Sequence, residues 1–368
     1  MAELRIVILG DDFTPAVLFR DGIETSLSGL DARVSFHCVD TEPGELSAVH
    51  SQEVAEAFGD IAEVASLAKD CHVIVTTFAP VTKRVLENAS ELVAIACGRG
   101  GPVNINIGAA TRRGIPVLFA PGRNAQAVAE FTVAGMINLM RQIPRAIDYV
   151  RDGQWQTPRE DTFEKPSGPE LGSRTVGLVG CGQVGRLVGQ LLRAFGARVL
   201  AHDPYAEAPA IAALGIENVT LDELLQGSDV ISVHARVAEG GPPLLGPREF
   251  AAMERRPYLV NTARAAALDY DALLEALRNG SVTAALLDVY PDEPVPRDSP
   301  LLDVDKDRLH LTPHAAGVSR DIPANTVRIL AQGLADLTGH KVPAHVVNEE
   351  TVSACFERLI QIVGHKKV

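Results

Sequence analysis

Short apolar runs alternate with helically spaced apolar positions along almost the whole chain, the pattern of an α/β fold with mostly parallel strands. In the first third, Arg5–Leu9, Arg33–Cys38, Val73–Thr76, Leu92–Ala96 and Pro116–Phe119 predict strands. A helical pattern follows from Ala125 to about Tyr149, with Glu130 among apolar positions and Pro144 near the end, where a ring without an N–H strains a helix. Residues Arg151 to Gly172, holding Pro158, Pro166 and Pro169, read as a loop. The alternation restarts with Thr175–Val179, Arg198–His202, Val230–His234, Tyr258–Thr262, Ala284–Asp288 and Leu309–Thr312. A helix from Thr326 to about Leu337 carries Val327, Leu330, Ala331 and Leu334 on one face, and His345–Val347 predicts a last short strand.

A length of 368 residues suggests two domains, and 46% hydrophobic against 22% charged residues is a normal globular balance. The net charge of −13 argues against a nucleic-acid partner, since the longest basic run is Lys366–Lys367. The 5 cysteines include no C-x-x-C pair, which fits reduced thiols in the cytoplasm and no metal site. Met1 to Gly10 reads as a first strand rather than a signal peptide, because the apolar run is short and carries Glu3. No apolar stretch reaches the roughly 20 residues of a membrane helix, so no membrane partner is expected.

The strongest motif is Gly180, Gly182 and Gly185, a G-x-G-x-x-G directly after the strand Thr175–Val179 and before an amphipathic helix with Val188, Leu191, Leu192 and Phe195. The glycines serve a tight turn, backbone approach to a pyrophosphate, and close helix–strand packing. The next strand ends at Asp203, within the expected distance of about 20 residues. A carboxylate there accepts from adenosine ribose hydroxyls and repels a 2′-phosphate, which favours NAD over NADP. About half the chain precedes this motif, so a second α/β domain is expected beside the cofactor domain, with substrate held in a cleft between them.

Three charged residues follow strand ends: Arg264, Glu293 and His314. Parallel strands bring their carboxyl ends to one sheet edge, where ligands bind. Removing a hydride from a hydroxy acid requires a proton to leave the oxygen, and histidine can carry it in either direction. A neighbouring carboxylate fixes the ring and favours its charged form. Arginine grips a carboxylate through two parallel hydrogen bonds. Taken singly, each has a plainer reading: a solvated arginine, a loop-opening glutamate, a packed histidine.

At these residues the chain resembles the D-isomer-specific 2-hydroxyacid dehydrogenase family, from about residue 70 to about 348. Asn124 to Glu130 looks like the family's N-x-x-x-V-A-E helix start. Val179 to Gly185 and His202-Asp203-Pro204 resemble its cofactor motifs, and Asn261 to Arg264, Leu287 to Pro294 and Thr312-Pro313-His314 its signature segments. The resemblance implies two Rossmann-like domains with parallel sheets. The cofactor domain, 123–321, is inserted into a substrate domain of 1–122 and 322–368, which the C-terminal helix completes. It implies an NAD-dependent D-2-hydroxyacid dehydrogenase with Arg264 on the substrate carboxylate, His314 as acid/base and Glu293 as its partner. NAD is then bound by Gly180, Gly182, Gln183, Val184, Gly185, Asp203, His234, Thr262, Ala263, Asp288 and His314, with Asp288 meeting the nicotinamide carboxamide. The substrate loop is Cys97 to Asn104, with Arg99, Gly100 and Gly101 on a small 2-hydroxy or 2-oxo acid. A homodimer through the cofactor domain is also implied.

Three departures qualify this. Ala265-Ala266 stand where the family has glycine. Cys97 and Arg99 replace the common arginine and glycine, so Arg99 adds a cation for a second anionic group. Thr76-Thr77 replace an Arg-Ser pair, which counts against 3-phosphoglycerate as substrate. An alternative of another class is an NADH-sensing, co-repressor-like binding protein on the same scaffold. Formate oxidation is disfavoured, because related enzymes carry Gln where this chain has Pro313.

Overall fold

The computed structural model describes residues 2–42, 52–155, 166–238 and 240–364. They form two compact units, Met1–Arg123 with Arg320–Val368, and Asn124–Ser319.

The first unit is built on β1 (Glu3–Gly10), β2 (Arg33–Asp40), β3 (Val73–Thr76), β4 (Ala94–Cys97) and β5 (Val117–Phe119), all parallel in the order β2-β1-β3-β4-β5. Alternation along β1 divides its side chains between two cores. Leu4, Ile6 and Ile8 pack with Phe19, Leu330 and Leu334 on one face, while Val7 and Leu9 pack with Val64, Leu86 and Ala110 on the other. A sheet covered on both faces needs the near-continuous apolar strands read from the sequence. Beyond the resemblance, the helix Val352–Val363 buries Val352, Cys355, Leu359 and Val363 in the first of these cores.

The second unit holds β6 (Thr175–Val179), β7 (Arg198–His202), β8 (Glu217–Asn218), β9 (Val230–Val233), β10 (Tyr258–Asn261), β11 (Ala284–Leu287) and β12 (Leu309–Leu311). All are parallel in the order β12-β11-β10-β9-β6-β7-β8. The order reverses at β6, so the crevice between β6 and β9 is the switch point where such sheets take ligands. The helices Ala125–Arg141 and Gln183–Ala194 cover one face through Met136, Val188 and Leu192. Leu224, Phe250, Leu273 and Leu277 cover the other.

Several expected boundaries move. The pattern from Ala125 to Tyr149 is two helices, Ala125–Arg141 and Ile143–Arg151, parted by Gln142 at φ +52°. Pro144 thereby falls in a first turn, where its missing N–H is harmless. The strand expected over Leu92–Ala96 is Ala94–Cys97, and the helix expected from Thr326 begins at Ile322. His345–Val347 gives a single antiparallel bridge, Leu118 to Val346, rather than a strand. The short β8 carries no periodic signal and was not expected. Part of the Pro-rich loop, with Pro158, and the basic pair Lys366–Lys367 lie outside the described residues.

Candidate active site

Gly180, Gly182 and Gly185 follow β6 at the switch point. Gly180 has φ +97°, and a Cβ there would lie 2.6 Å from the Ala235 nitrogen. A Cβ on Gly185 would lie 2.4 Å from the Gly180 carbonyl oxygen. Both positions therefore demand glycine. A Cβ on Gly182 would meet nothing within 4 Å, so the loop is open on that side. The first helical bond runs from the Arg186 N–H to the Gly182 carbonyl, leaving the N–H groups of Gln183, Val184 and Gly185 outside the helical ladder. N–H groups outside the ladder at a positive helix end suit a pyrophosphate.

Asp203, after β7, accepts from the Cys181 N–H at 2.8 Å through Oδ2 and from the Tyr205 N–H at 2.9 Å through Oδ1. These bonds fix the carboxylate against the glycine loop and leave lone pairs for ribose hydroxyls. Both ring nitrogens of His234, after β9, are buried without a partner although the residue as a whole is half-buried. Burial pushes its pKa down to about 4, so the ring is neutral at pH 7. Open loop, free N–H groups, fixed carboxylate and unpartnered ring together fit NAD.

The charged trio occupies the turns after β10, β11 and β12. His314 Nδ1 and Glu293 Oε2 are 2.7 Å apart, and the Tyr290 N–H donates to Glu293 Oε1 at 3.0 Å. Burial alone would raise the Glu293 carboxyl. The His314 bond, the Tyr290 N–H and the charges of His314 and Arg264 outweigh it and hold the carboxyl below its usual range. Arg264 is exposed, acts on Glu293 by its charge, and donates from Nη1 to the Ala263 carbonyl at 2.7 Å. The Asn261 side chain shapes this turn, accepting from the Ala263 N–H and donating to the Arg264 carbonyl, each at 3.0 Å. Thr262 is buried and bonded to Thr132 Oγ1 at 2.8 Å. Ala265–Ala267 form one 3-10 turn with Ala267 buried, which is where the departure from glycine falls.

Asp288 is 1% exposed, and its carboxylate is taken up by the loop that carries His314. Oδ1 accepts from Thr312 Oγ1 at 2.6 Å and the Ala315 N–H at 2.8 Å, and Oδ2 from the Ala316 N–H at 2.9 Å. His314 stands between these anchors at φ +52°, a conformation non-glycine residues rarely hold unaided. The Tyr290 hydroxyl donates to the carbonyls of Leu287 and Thr312, tying β11 to the same loop. The positioning roles of Asp288, Thr312 and Tyr290 toward the His314 loop rest on hydrogen bonds between residues far apart in the chain, whereas Asn261 acts within its own turn. Beside Glu293 and His314 lies an apolar cavity of about 400 Å³, lined among others by Tyr290, Val295, Leu302 and Leu311.

In the first unit, Arg99, Gly100 and Gly101 follow β4. The Arg99 guanidinium donates to the Glu56 carbonyl at 2.7 Å, forms an ion pair with its carboxylate, and lies 5.1 Å from the Phe78 ring centre. Its charge is thus already balanced. Cys97 Sγ donates to Asn104 Oδ1 at 3.3 Å, a packing contact. Gly100 and Gly101 donate no backbone hydrogen bond among the described residues.

The family described as D-isomer specific 2-hydroxyacid dehydrogenase, NAD binding domain, matches residues 133–316. The chain is 33% identical over 285 residues to a glyoxylate reductase of Korarchaeum cryptofilum, covering 77% of this chain and 85% of that protein. The chain belongs to this family. It is an NAD-dependent oxidoreductase, and NAD is its cofactor. It is also 36% identical over 265 residues to a D-3-phosphoglycerate dehydrogenase of Archaeoglobus fulgidus, covering 72% of this chain but 49% of that relative. Among solved structures, D-lactate dehydrogenase from Escherichia coli superposes with a TM-score of 0.63 at 25% identity, over 94% of this chain and all of that one (100%). The two α/β units with parallel-stranded sheets expected from the sequence are observed, and the fold is that of this family. No helix among the described residues is long and apolar enough to cross a membrane.

Proposed function

We propose that the protein interconverts a small D-2-hydroxy acid and its 2-oxo acid, with His314 as acid/base, Glu293 as its partner and Arg264 on the substrate carboxylate. The observation that carries this is the 2.7 Å contact between His314 Nδ1 and Glu293 Oε2. With Nδ1–H donated to the carboxylate, Nε2 is the nitrogen left to exchange a proton with substrate. NAD, when bound, accepts or returns the hydride of C2. In the oxidising direction Nε2 takes the hydroxyl proton as the hydride leaves. In the reducing direction the imidazolium returns it to the carbonyl oxygen, and Glu293 stabilises that charged form. Arg264 turns its fork from the Ala263 carbonyl to the carboxylate and orients C2.

In this reading Asn124–Ser319 is the NAD domain and the other unit the substrate domain, contributing the N–H groups of Gly100 and Gly101. His234, Thr262 and Ala263 line the cofactor, and Asp203 selects NAD. Asp288 serves first as the anchor of the His314 loop. The balanced charge of Arg99 adds to Thr76-Thr77 in disfavouring 3-phosphoglycerate. The protein works in the cytoplasm as a homodimer. Its described cysteines are free, and Ile143, Ile147 and Val150 give the helix Ile143–Arg151 an exposed apolar stripe suited to a second copy.

The test is NADH consumption with a panel of 2-oxo acids, from glyoxylate, pyruvate and hydroxypyruvate to branched, aromatic and phosphorylated members. Turnover of at least one, lost in His314→Ala while NADH still binds, is expected. No turnover across the panel with NADH binding intact would overturn the reading.

A further inference from the structure

A 2-oxo acid bound at the His314–Glu293 pair has a carboxylate, an oxygen, a face for the hydride and a side chain around C2. The reading above gives the carboxylate to Arg264, the oxygen to His314 and the face to NAD. The side chain is left without a place. The cavity of about 400 Å³ opens beside the same pair, since Glu293 and His314 are both part of its wall. Pro294, Val295, Leu302, Leu311 and Pro313 supply most of the remaining surface, with Tyr290 and Thr312. All of these residues lie within Asn124–Ser319.

The polar groups of this wall are already engaged. The Tyr290 hydroxyl donates to the Leu287 and Thr312 carbonyls at 2.9 and 2.8 Å. Thr312 Oγ1 donates to Asp288 Oδ1 at 2.6 Å. Glu293 accepts from the Tyr290 N–H through Oε1 and meets His314 Nδ1 through Oε2. That leaves His314 Nε2, which the reaction itself uses. Leu302 is 51% exposed, and Val295 and Leu311 are half-buried, so hydrocarbon faces the opening next to the acid/base pair. A mostly apolar hollow with a few polar groups at one end is the usual build of a small-molecule site.

We propose that this cavity receives the substrate's side chain, that the substrate is a 2-oxo acid with an apolar, branched or aromatic side chain, and that Val295 and Leu302 set this preference. Glyoxylate or pyruvate would leave the cavity to water. A hydroxylated chain would lose hydration there and gain no partner. A phosphate would be brought beside the Glu293 carboxylate, which His314 and the Tyr290 N–H keep charged against the opposing effect of burial.

The inference rests on the 2-oxo acid reading above, and its test separates the two. The full-length protein is assayed with NADH on pyruvate, on the 2-oxo acid with an isobutyl side chain, and on phosphohydroxypyruvate. Wild type should prefer the isobutyl acid to pyruvate by about fiftyfold in kcat/KM, because each of the added carbons contributes about fourfold when buried. Leu302→Asn and Val295→Asn each put an amide into the wall at a position that is not fully buried, and each should cut that preference about tenfold. A change in preference, unlike a loss of rate, does not follow from a merely structural role. Preference of wild type for either other acid, or an unchanged preference in both variants, overturns the proposal. Sedimentation under the same conditions tells a substrate pocket from a face covered by a second copy: variants that become lighter while keeping the wild-type preference overturn it too. If no 2-oxo acid turns over, the catalytic reading fails, and calorimetry of the isobutyl acid with NADH-bound protein decides the cavity. Binding weakened about tenfold in Leu302→Asn supports it, and unchanged binding in that variant, or none to wild type, overturns it.

Discussion

Asp288→Asn tests whether the loop behind the acid/base residue is held by one buried carboxylate. The substitution keeps the size of the side chain and one carbonyl-type oxygen. That oxygen can still accept from Thr312 Oγ1 and the Ala315 N–H, now without charge. The amide nitrogen then faces the Ala316 N–H, 2.9 Å from the present Oδ2, donor against donor. One charge-assisted bond is lost and two are weakened, for a cost of about 2–4 kcal/mol at a site this buried. His314 lies between the loosened anchors at φ +52°, so kcat should fall about ten- to a hundredfold through misplacement of the ring. Urea unfolding read by fluorescence measures the first quantity. Single turnover with the best substrate of the panel measures the second. If Asp288 acted only on the nicotinamide, NAD affinity would drop while unfolding stayed as in wild type. Stability within about 0.5 kcal/mol of wild type, the range of an ordinary surface change, would falsify the anchoring role.

Four further outcomes are expected. His314→Ala should lower kcat by about a hundredfold to ten-thousandfold, the range of general acid–base catalysis, with NADH binding by fluorescence unchanged; a modest loss would remove His314 from its role. Gly185→Ala places a methyl 2.4 Å from the Gly180 oxygen and should cost about 1–3 kcal/mol as well as NADH affinity, which thermal unfolding with and without NADH reads; normal affinity would contradict the tight loop. Asp203→Asn keeps an acceptor for the Cys181 N–H and removes the charge, so the kcat/KM ratio of NADH to NADPH should narrow; an unmoved ratio would mean the charge does not select the cofactor. His234 takes up a proton near pH 6.5 when unfolded but only near pH 4 when folded, so the unfolded chain binds more protons in that window and stability should fall as pH drops from about 6.5 to about 4. Titration of the His234 ring by NMR checks this directly, and a pKa at or above 6 would refute its buried, neutral state.

The sequence by itself determined the α/β class, the two sheets and the dinucleotide loop. Short continuous apolar runs and helical spacing are local, as in β1, β3, β6 and β7, where strand positions read from the chain fall within a few residues of those observed. Glycine is equally legible, because Gly180 and Gly185 answer to backbone geometry within a few residues of themselves. Arg264, Glu293 and His314 were visible as chemistry at strand ends, but only the parallel stacking of β10, β11 and β12 puts His314 and Glu293 in contact and Arg264 within reach by charge. The break at Gln142 was hidden because the apolar spacing runs on past Arg141, and a single left-handed residue leaves no periodic trace. The buried acceptors were hidden for a related reason. Asp288 and Asn261 stand in segments that the family resemblance marks, yet the resemblance gave Asp288 to the nicotinamide carboxamide and neither residue to the anchoring of a loop. Asn261 is satisfied within its own turn, whereas the partners of Asp288 are N–H and hydroxyl groups of the His314 loop that the folded backbone brings within 3 Å of it. Tertiary structure alone decides that, since a hydrogen bond forms only at short range and no spacing along the chain encodes the approach of separate strands.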